Sequence, residues 1–226
     1  MEPWQIGLVV VSMLIVGAIV FGVVWDRNKN AARERELTAP PKRDIPGFHP
    51  EQVVPAYLSE LEAARPREDA PATELADPER DRLRSRIAES PPVAAGWLAP
   101  EFITDPPTRW AVLPNARVMV CDEPVTTIRE LMPVLERTAM SDHTLVIIAP
   151  GFLEEVAKTL AVNHLQHTLP VLAIGSDSPD VRRRVHELTG AEVIDRRDLQ
   201  AGWIPEERLG HATTWVSDAQ QSWVLR

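Results

Sequence analysis

The sequence predicts an α/β domain, a mixed sheet flanked by helices, carried behind one N-terminal transmembrane helix and a largely disordered linker. Three observations lead there. Apolar runs such as ARVMVCD, TLVIIA and PVLAIG alternate with helical stretches over short links, which is the pattern of a parallel or mixed sheet covered by helices. The run IGLVVVSMLIVGAIVFGVVW, residues 6–25, carries no charge. Between the two lies a stretch dense in proline and charge, residues 26–92. With 226 residues the chain is long enough for one domain with a real core plus an appendage.

The N-terminal run comes first. About 20 residues at ~1.5 Å each reach ~30 Å as a helix, the thickness of bilayer hydrocarbon. Only Glu2 carries charge before it, and Trp4 and Trp25 bracket it at the depth of interfacial aromatics. A cleaved leader needs a basic start and a shorter apolar segment. Arg27, Lys29, Arg33, Arg35, Lys42 and Arg43 follow the run, diluted by Glu34 and Glu36. Positive residues stay inside, so residues 1–5 are expected outside the cell membrane and the C-terminal body in the cytoplasm. The helix, with its basic flank, is then the contact with membrane lipid. Residues 26–92 cannot bury enough apolar surface to offset chain entropy and read as a linker. Two helical stretches are expected within it. Pro50–Ala64 aligns Val53, Val54, Tyr57, Leu58 and Leu61, whereas Asp77–Glu89 has only Leu83 and Ile87 to bury.

Residues 93–226 read as globular. Ala116–Asp122 is a buried-strand run, followed by a helix over Thr127–Met140. Thr127 and Glu130 have capping-box spacing, and Pro133, beyond the first turn, should bend the helix. Thr144–Ala149 is a β-branched strand, Gly151–Gln166 a helix, and Pro170–Gly175 a strand opened by proline. Ser178–Thr189 is a helix closed by Gly190, Ala191–Asp195 a strand, and the last two strands flank the turn Ser217–Gln220.

Several functions find no support. A net charge of −9 and a pI near 5.2 oppose nucleic-acid binding. The single cysteine, Cys121, cannot form an intramolecular disulfide and reads as a small buried hydrophobe. There is no glycine-rich phosphate loop and no nucleophile elbow. His164 and His167 form a pair without further metal ligands, Glu154 and Glu155 answer a helix dipole, and Arg182 to Arg184 read as a solvated helix face. No catalytic residue, metal, cofactor or nucleotide is expected.

The two central helices are more apolar than packing on one sheet requires. Ile128, Leu131, Val134 and Leu135 form one face, widened by Met132. In the next helix Val156 and Leu160 share one line, and Ala157, Ala161 and Leu165 another. Either they pack on each other and on the sheet, or they leave a shallow groove for a peptide; periodicity leaves both open.

The block IRELMPVLERTAMSDHTLVIIAPGFLEEVAKTLAVNHL, Ile128–Leu165, closely resembles the apical domain of bacterial group I chaperonins (the GroEL type). GWLAPEF (Gly96–Phe102), LTGAEVI (Leu188–Ile194) and RLGHATTWV (Arg208–Val216) extend the likeness over about Glu89 to Leu225. In that family the apical domain catches non-native polypeptides in a groove between two helices, beside an aromatic segment. The resemblance therefore implies a binding site of Trp97 and Phe102, Met132 and Leu135, and Ala157, Ala161, Val162 and Asn163. A proline at the place of Pro133 is a family feature. Glu101 stands where the family has a second aromatic residue, and Ala157 and Ala161 replace larger aliphatic residues. The Gly175–Val181 segment is shorter than the family's loop. Nothing here resembles the equatorial ATPase or intermediate domain, so no ATP-driven ring is implied. The expected function is ATP-independent binding of apolar segments of unfolded or partner proteins; the alternative is a dedicated scaffold without general chaperone activity. Oligomeric state is left open.

Overall fold

The computed structural model describes residues 13, 16–27, 29–31, 62, 65, 74–202 and 204–225. The chain divides into two compact units, Met1–Tyr57 and Leu58–Arg226. In the first, residues 16–27 are helical. The remainder of the predicted 6–25 span lies outside the described residues, as does most of the Pro50–Ala64 stretch. Among the described residues no helix is long and apolar enough to cross a membrane.

The second unit is the predicted mixed sheet. Its strands are β1 (Ala111–Cys121), β2 (Thr144–Ala149), β3 (Val171–Gly175), β4 (Val193–Ile194), β5 (Gly210–Ser217) and β6 (Ser222–Leu225). The order is β3-β2-β1-β5-β6, with β4 beside the end of β1. β1 to β3 pair in parallel, and β5 and β6 add antiparallel. The main core includes Met119, Ile147, Leu172 and Trp215, all fully buried, and a second, smaller one gathers Leu83, Val216 and Leu225.

β1 begins five residues before the predicted Ala116. Pro114 and Asn115 break the apolar pattern there, and Asn115 has φ 49°, a conformation asparagine tolerates. Pairing with β2 starts only at Ala116, so Pro114 lies where β1 is bonded on one side, to β5. A missing N–H is tolerated in that position.

The helices are α1 (Asp77–Glu89), α2 (Met132–Ala139), α3 (Glu154–Leu165), α4 (Pro179–Thr189) and α5 (Arg196–Ala201). The Thr127–Met140 helix is divided: a 3-10 turn, Ile128–Glu130, precedes α2. The capping box forms, with Thr127 Oγ1 accepting from the Arg129 N–H and Glu130 Oε2 accepting from the Thr127 N–H, both at 3.3 Å. Because the 3-10 turn absorbs the cap, Pro133 falls in the first turn of α2, where its missing N–H costs nothing. The expected bend at Pro133 is thus replaced by a fresh helix start. α3 starts at Glu154 rather than Gly151, and Gly190 closes α4 at φ 77° as expected.

The sequence reads Asp77–Glu89 as a charged helix of the linker. The helix is there, but it packs on the sheet: Leu83 is buried with Val216 and Leu225. Arg80 fixes it, donating from Nε and Nη2 to the two carboxylate oxygens of Asp105 at 3.1 Å each. Asp105 also accepts from the Leu75 N–H at 3.2 Å and from the Thr108 hydroxyl. Further upstream, Gln166 Nε2 donates to the carbonyls of Glu62 at 3.1 Å and Arg65 at 2.6 Å.

Between α1 and β1 one short segment joins both margins of the sheet. Val93 exchanges hydrogen bonds with Ser222 of β6, at 2.8 and 2.9 Å. Four residues on, Trp97 bridges Ile174 of β3, and the Leu98 N–H donates to Ala173 O at 2.9 Å. Four residues span at most about 14 Å, so the two outer strands curl toward each other and the segment staples them. Gly96 permits this, since a Cβ there would lie 2.3 Å from backbone atoms of Asp218 and Ala219. We expect Gly96→Ala to lower the melting temperature by several degrees, at about 2–4 °C for each 1 kcal/mol in a domain of this scale. An unchanged melting temperature would show that the hairpin gives way freely.

Candidate polypeptide-binding site

α2 and α3 each cross from one parallel strand to the next, from β1 to β2 and from β2 to β3. The chain steps in one direction along the sheet both times, so right-handed crossovers put both helices on the same face. Their approaches are tied together: the Val125 N–H donates to Gly151 O and the Leu153 N–H to Val125 O, both at 2.9 Å. α4 connects β3 back to β4, and the reversed direction puts it on the other face.

Each helix buries one stripe, Leu131, Val134, Leu135 and Thr138 at α2 and Val156, Leu160 and Ala161 on α3. Among the charged residues they leave outward, such as Glu136 and Lys158, stand two large apolar side chains. Met132 is 41% exposed and Leu153, just ahead of α3, 51%. The structure therefore divides the residues named from the resemblance. Phe102, Leu135 and Ala161 are buried. Met132 and Glu101 are exposed, while Trp97, Ala157, Val162 and Asn163 are half-buried. Phe102 lies in the 3-10 turn Pro100–Phe102 and meets the His164 ring of α3 edge-on, with centroids 5.5 Å apart. Trp97 Nε1 donates to Arg109 O at 3.3 Å. Asn163 Nδ2 donates to Thr159 O, and Asn163 Oδ1 accepts from the Thr168 hydroxyl, both at 2.8 Å, so it also closes the end of α3.

Phe102 and Leu135 thus act as floor and support, and Met132, Ala157 and Val162 are the reachable apolar surface. The sequence places Phe152 and Leu153 at the start of the second helix as part of its apolar surplus, but the resemblance does not put Leu153 in the binding site. Its place ahead of two glutamates is the one signal that it stands at a helix entrance.

The titratable groups nearby are structural. Burial drives the His164 pKa down to about 4; a backbone hydrogen bond with Val171 opposes this and the nearby His167 adds to it. Cys121 is fully buried, and burial, with Asp122 and Glu130 adding to it, pushes its thiol up to about 12. Among the described residues no group of three or more His, Cys, Asp or Glu could hold a metal ion.

Two helices on one face of a mixed sheet, over an aromatic turn, go with a chaperonin-like similarity in the sequence. Over 113 residues the chain is 34% identical to Chaperonin 60 subunit alpha 1, chloroplastic, of Arabidopsis thaliana, covering 48% of this chain and 19% of that protein. The chain thus matches about a fifth of that relative's length. No family model matches. Among solved structures, the open-state monomer of a group II chaperonin from Methanococcoides burtonii aligns at 16% identity and a TM-score of 0.43, covering 60% of this chain and 30% of that one.

Proposed function

We propose that this chain is a membrane-anchored, ATP-independent polypeptide-binding module built on a chaperonin apical-like domain of the group I type. The observation that carries the reading is the large apolar side chains left outward on α2 and at the entrance of α3, Met132 at 41% and Leu153 at 51% exposure, within a domain of chaperonin-like sequence. The charge-free run 6–25 and the basic residues after it support a single-pass anchor in the cell membrane with the domain in the cytoplasm. ATP independence is proposed from the sequence, in which no phosphate-cradling glycine loop is seen.

Two or three apolar client side chains give roughly 4–8 kcal/mol gross, at about 1.5–3 kcal/mol each. Association and ordering costs take much of that, so a single site binds at about micromolar or weaker. Clustering in a membrane plane would restore avidity.

The test is suppression of aggregation of a chemically unfolded client by the full chain without ATP, comparing wild type with Met132→Glu. Met132 is accessible, so this change spares the core, whereas Leu135→Glu would bury a charge and unfold it. The wild type should suppress aggregation and the variant should lose most of that effect at unchanged melting temperature. Equal suppression would remove the α2 surface from the reading. Glu101, exposed beside the aromatic turn, favours a second reading, a scaffold for one dedicated partner with little general stickiness. In that case Glu101→Phe should broaden the set of captured proteins. For the anchor, the full chain should stay in the membrane pellet through alkaline carbonate washing; release into the supernatant would leave the domain untethered.

A further inference from the structure

We infer that α2 is a self-association surface, pairing antiparallel with α2 of a second copy of this chain about a two-fold axis at Met132. Its outward stripe carries the inference. The exposed residues there are Arg129, Met132, Glu136, Ala139 and Met140, at spacings that keep them on one helix face. Leu131, between the 3-10 turn and α2, has helical angles, φ −95° and ψ −18°, so the face runs on from Arg129 into α2.

The charges at either side of Met132 are unanswered within the domain. Their neighbours are engaged: Glu130 pairs with Arg196 at 3.6 Å, and Arg137 donates to Ile204 O at 2.5 Å. The side chains of Arg129 and Glu136 have no hydrogen bond or ion pair among the described residues. Arg129 stands three residues before Met132 and Glu136 four after it, a cation and an anion at nearly equal distance from an exposed apolar side chain. Such a stripe is its own complement when reversed. With two copies antiparallel and Met132 against Met132, Arg129 of each copy meets Glu136 of the other. Two reciprocal pairs then flank an apolar centre that the flexible thioethers can fill. Charge opposes the other arrangements. A parallel pair sets Arg129 against Arg129 and Glu136 against Glu136, and an antiparallel pair centred on Glu136 brings two carboxylates together. The net charge of −9 repels two copies, but it is screened beyond about 8 Å at physiological salt, so the contacts at the stripe decide. Self-association needs no client, and the inference does not depend on polypeptide binding at Met132.

The experiment uses the full chain in nonionic detergent, without client, over a series of protein concentrations and with a short bis-maleimide crosslinker. Cys121 is fully buried, so only an introduced thiol reacts. Met132→Cys should crosslink copy to copy. Ala139→Cys, also exposed, should crosslink several-fold less, because the same axis holds its two copies about 20 Å apart at ~1.5 Å per residue. In the Met132→Cys background, Arg129→Glu or Glu136→Arg alone should lower crosslinking several-fold. The two together should restore most of it, since the exchanged charges pair again. All three lie at exposed positions and should melt with the parent. Equal crosslinking from positions 132 and 139 would mark random collision and overturn the inference. Single exchanges without effect, or a double exchange no better than the single ones, would overturn it too. So would crosslinks from position 132 to an added unfolded polypeptide with none between copies, in favour of a surface kept for clients.

Discussion

Lowering the pH from 6.5 to 4 is expected to remove roughly 3 kcal/mol of stability from the domain through His164 alone. The native pKa of about 4 lies well below the ordinary 6.5, and each pH unit of separation is worth ~1.36 kcal/mol. Between those values the imidazole is neutral in the folded chain and protonated in the unfolded one. The unfolded state binds more protons there, so stability rises with pH across the window. The contribution is whole above pH 6.5 and is lost progressively as the pH falls to about 4. Burial against Phe102 is what keeps the ring neutral. His164→Leu keeps apolar volume in that place and removes the proton. Urea unfolding of both proteins between pH 7.5 and 4 should give curves that converge or cross as the medium acidifies, since the carboxylates titrate in both. Parallel curves would mean that His164 is hydrated and titrates normally.

The second large effect is expected from Asp105→Ala. Removing one partner of a buried pair costs roughly 3–5 kcal/mol, and we expect about 2–3 kcal/mol here because α1 can swing out and hydrate Arg80. The readout is local. Arg82, Arg84 and Arg86 all lie on α1 and are cut by trypsin only once the helix opens. Cleavage there should be accelerated by at least about tenfold, at roughly 1.4 kcal/mol per factor of ten, while the sheet stays intact. An unchanged rate would show that Leu83, rather than the ion pair, retains the helix. The latch also has a pH signature. Burial alone would raise the Asp105 pKa, but hydrogen bonds from Arg80, Thr108 and the Leu75 N–H, with the charge of Arg80, bring it below the ordinary carboxylate range. Its stabilisation is therefore present above the ordinary value and is lost only as the pH falls through the lower native one.

Much of the architecture was legible in local chemistry. Thr144–Ala149 is a strand end for end as read, because a β-branched run buried on both faces leaves no other solution. Gly190 and the Thr127–Glu130 box fell where their cap geometry put them. The missed features depend on neighbours distant in sequence. The first half of β1 is held by β5 although its own residues break the pattern. α1 has few apolar residues, and it is a partner 25 residues away, Asp105, that makes it part of the domain. In the site the limit was finer. Periodicity puts Met132 and Leu135 on one broad apolar face, and the sheet beneath α2 decides that one is reachable and the other is floor. Phe102 is a contact by the resemblance alone; its full burial against the His164 ring makes it a foundation instead.

The staple across the sheet bears on what a bound polypeptide could do. With Val93 hydrogen-bonded to β6 and the Trp97–Leu98 segment to β3, neither outer strand offers a free row of amides and carbonyls along its paired positions. A guest chain that prolonged the sheet would have to displace these contacts at Ser222 and at Ala173–Ile174. Recognition would have to pass through side chains, and a peptide with methylated backbone nitrogens should be held as well as its parent.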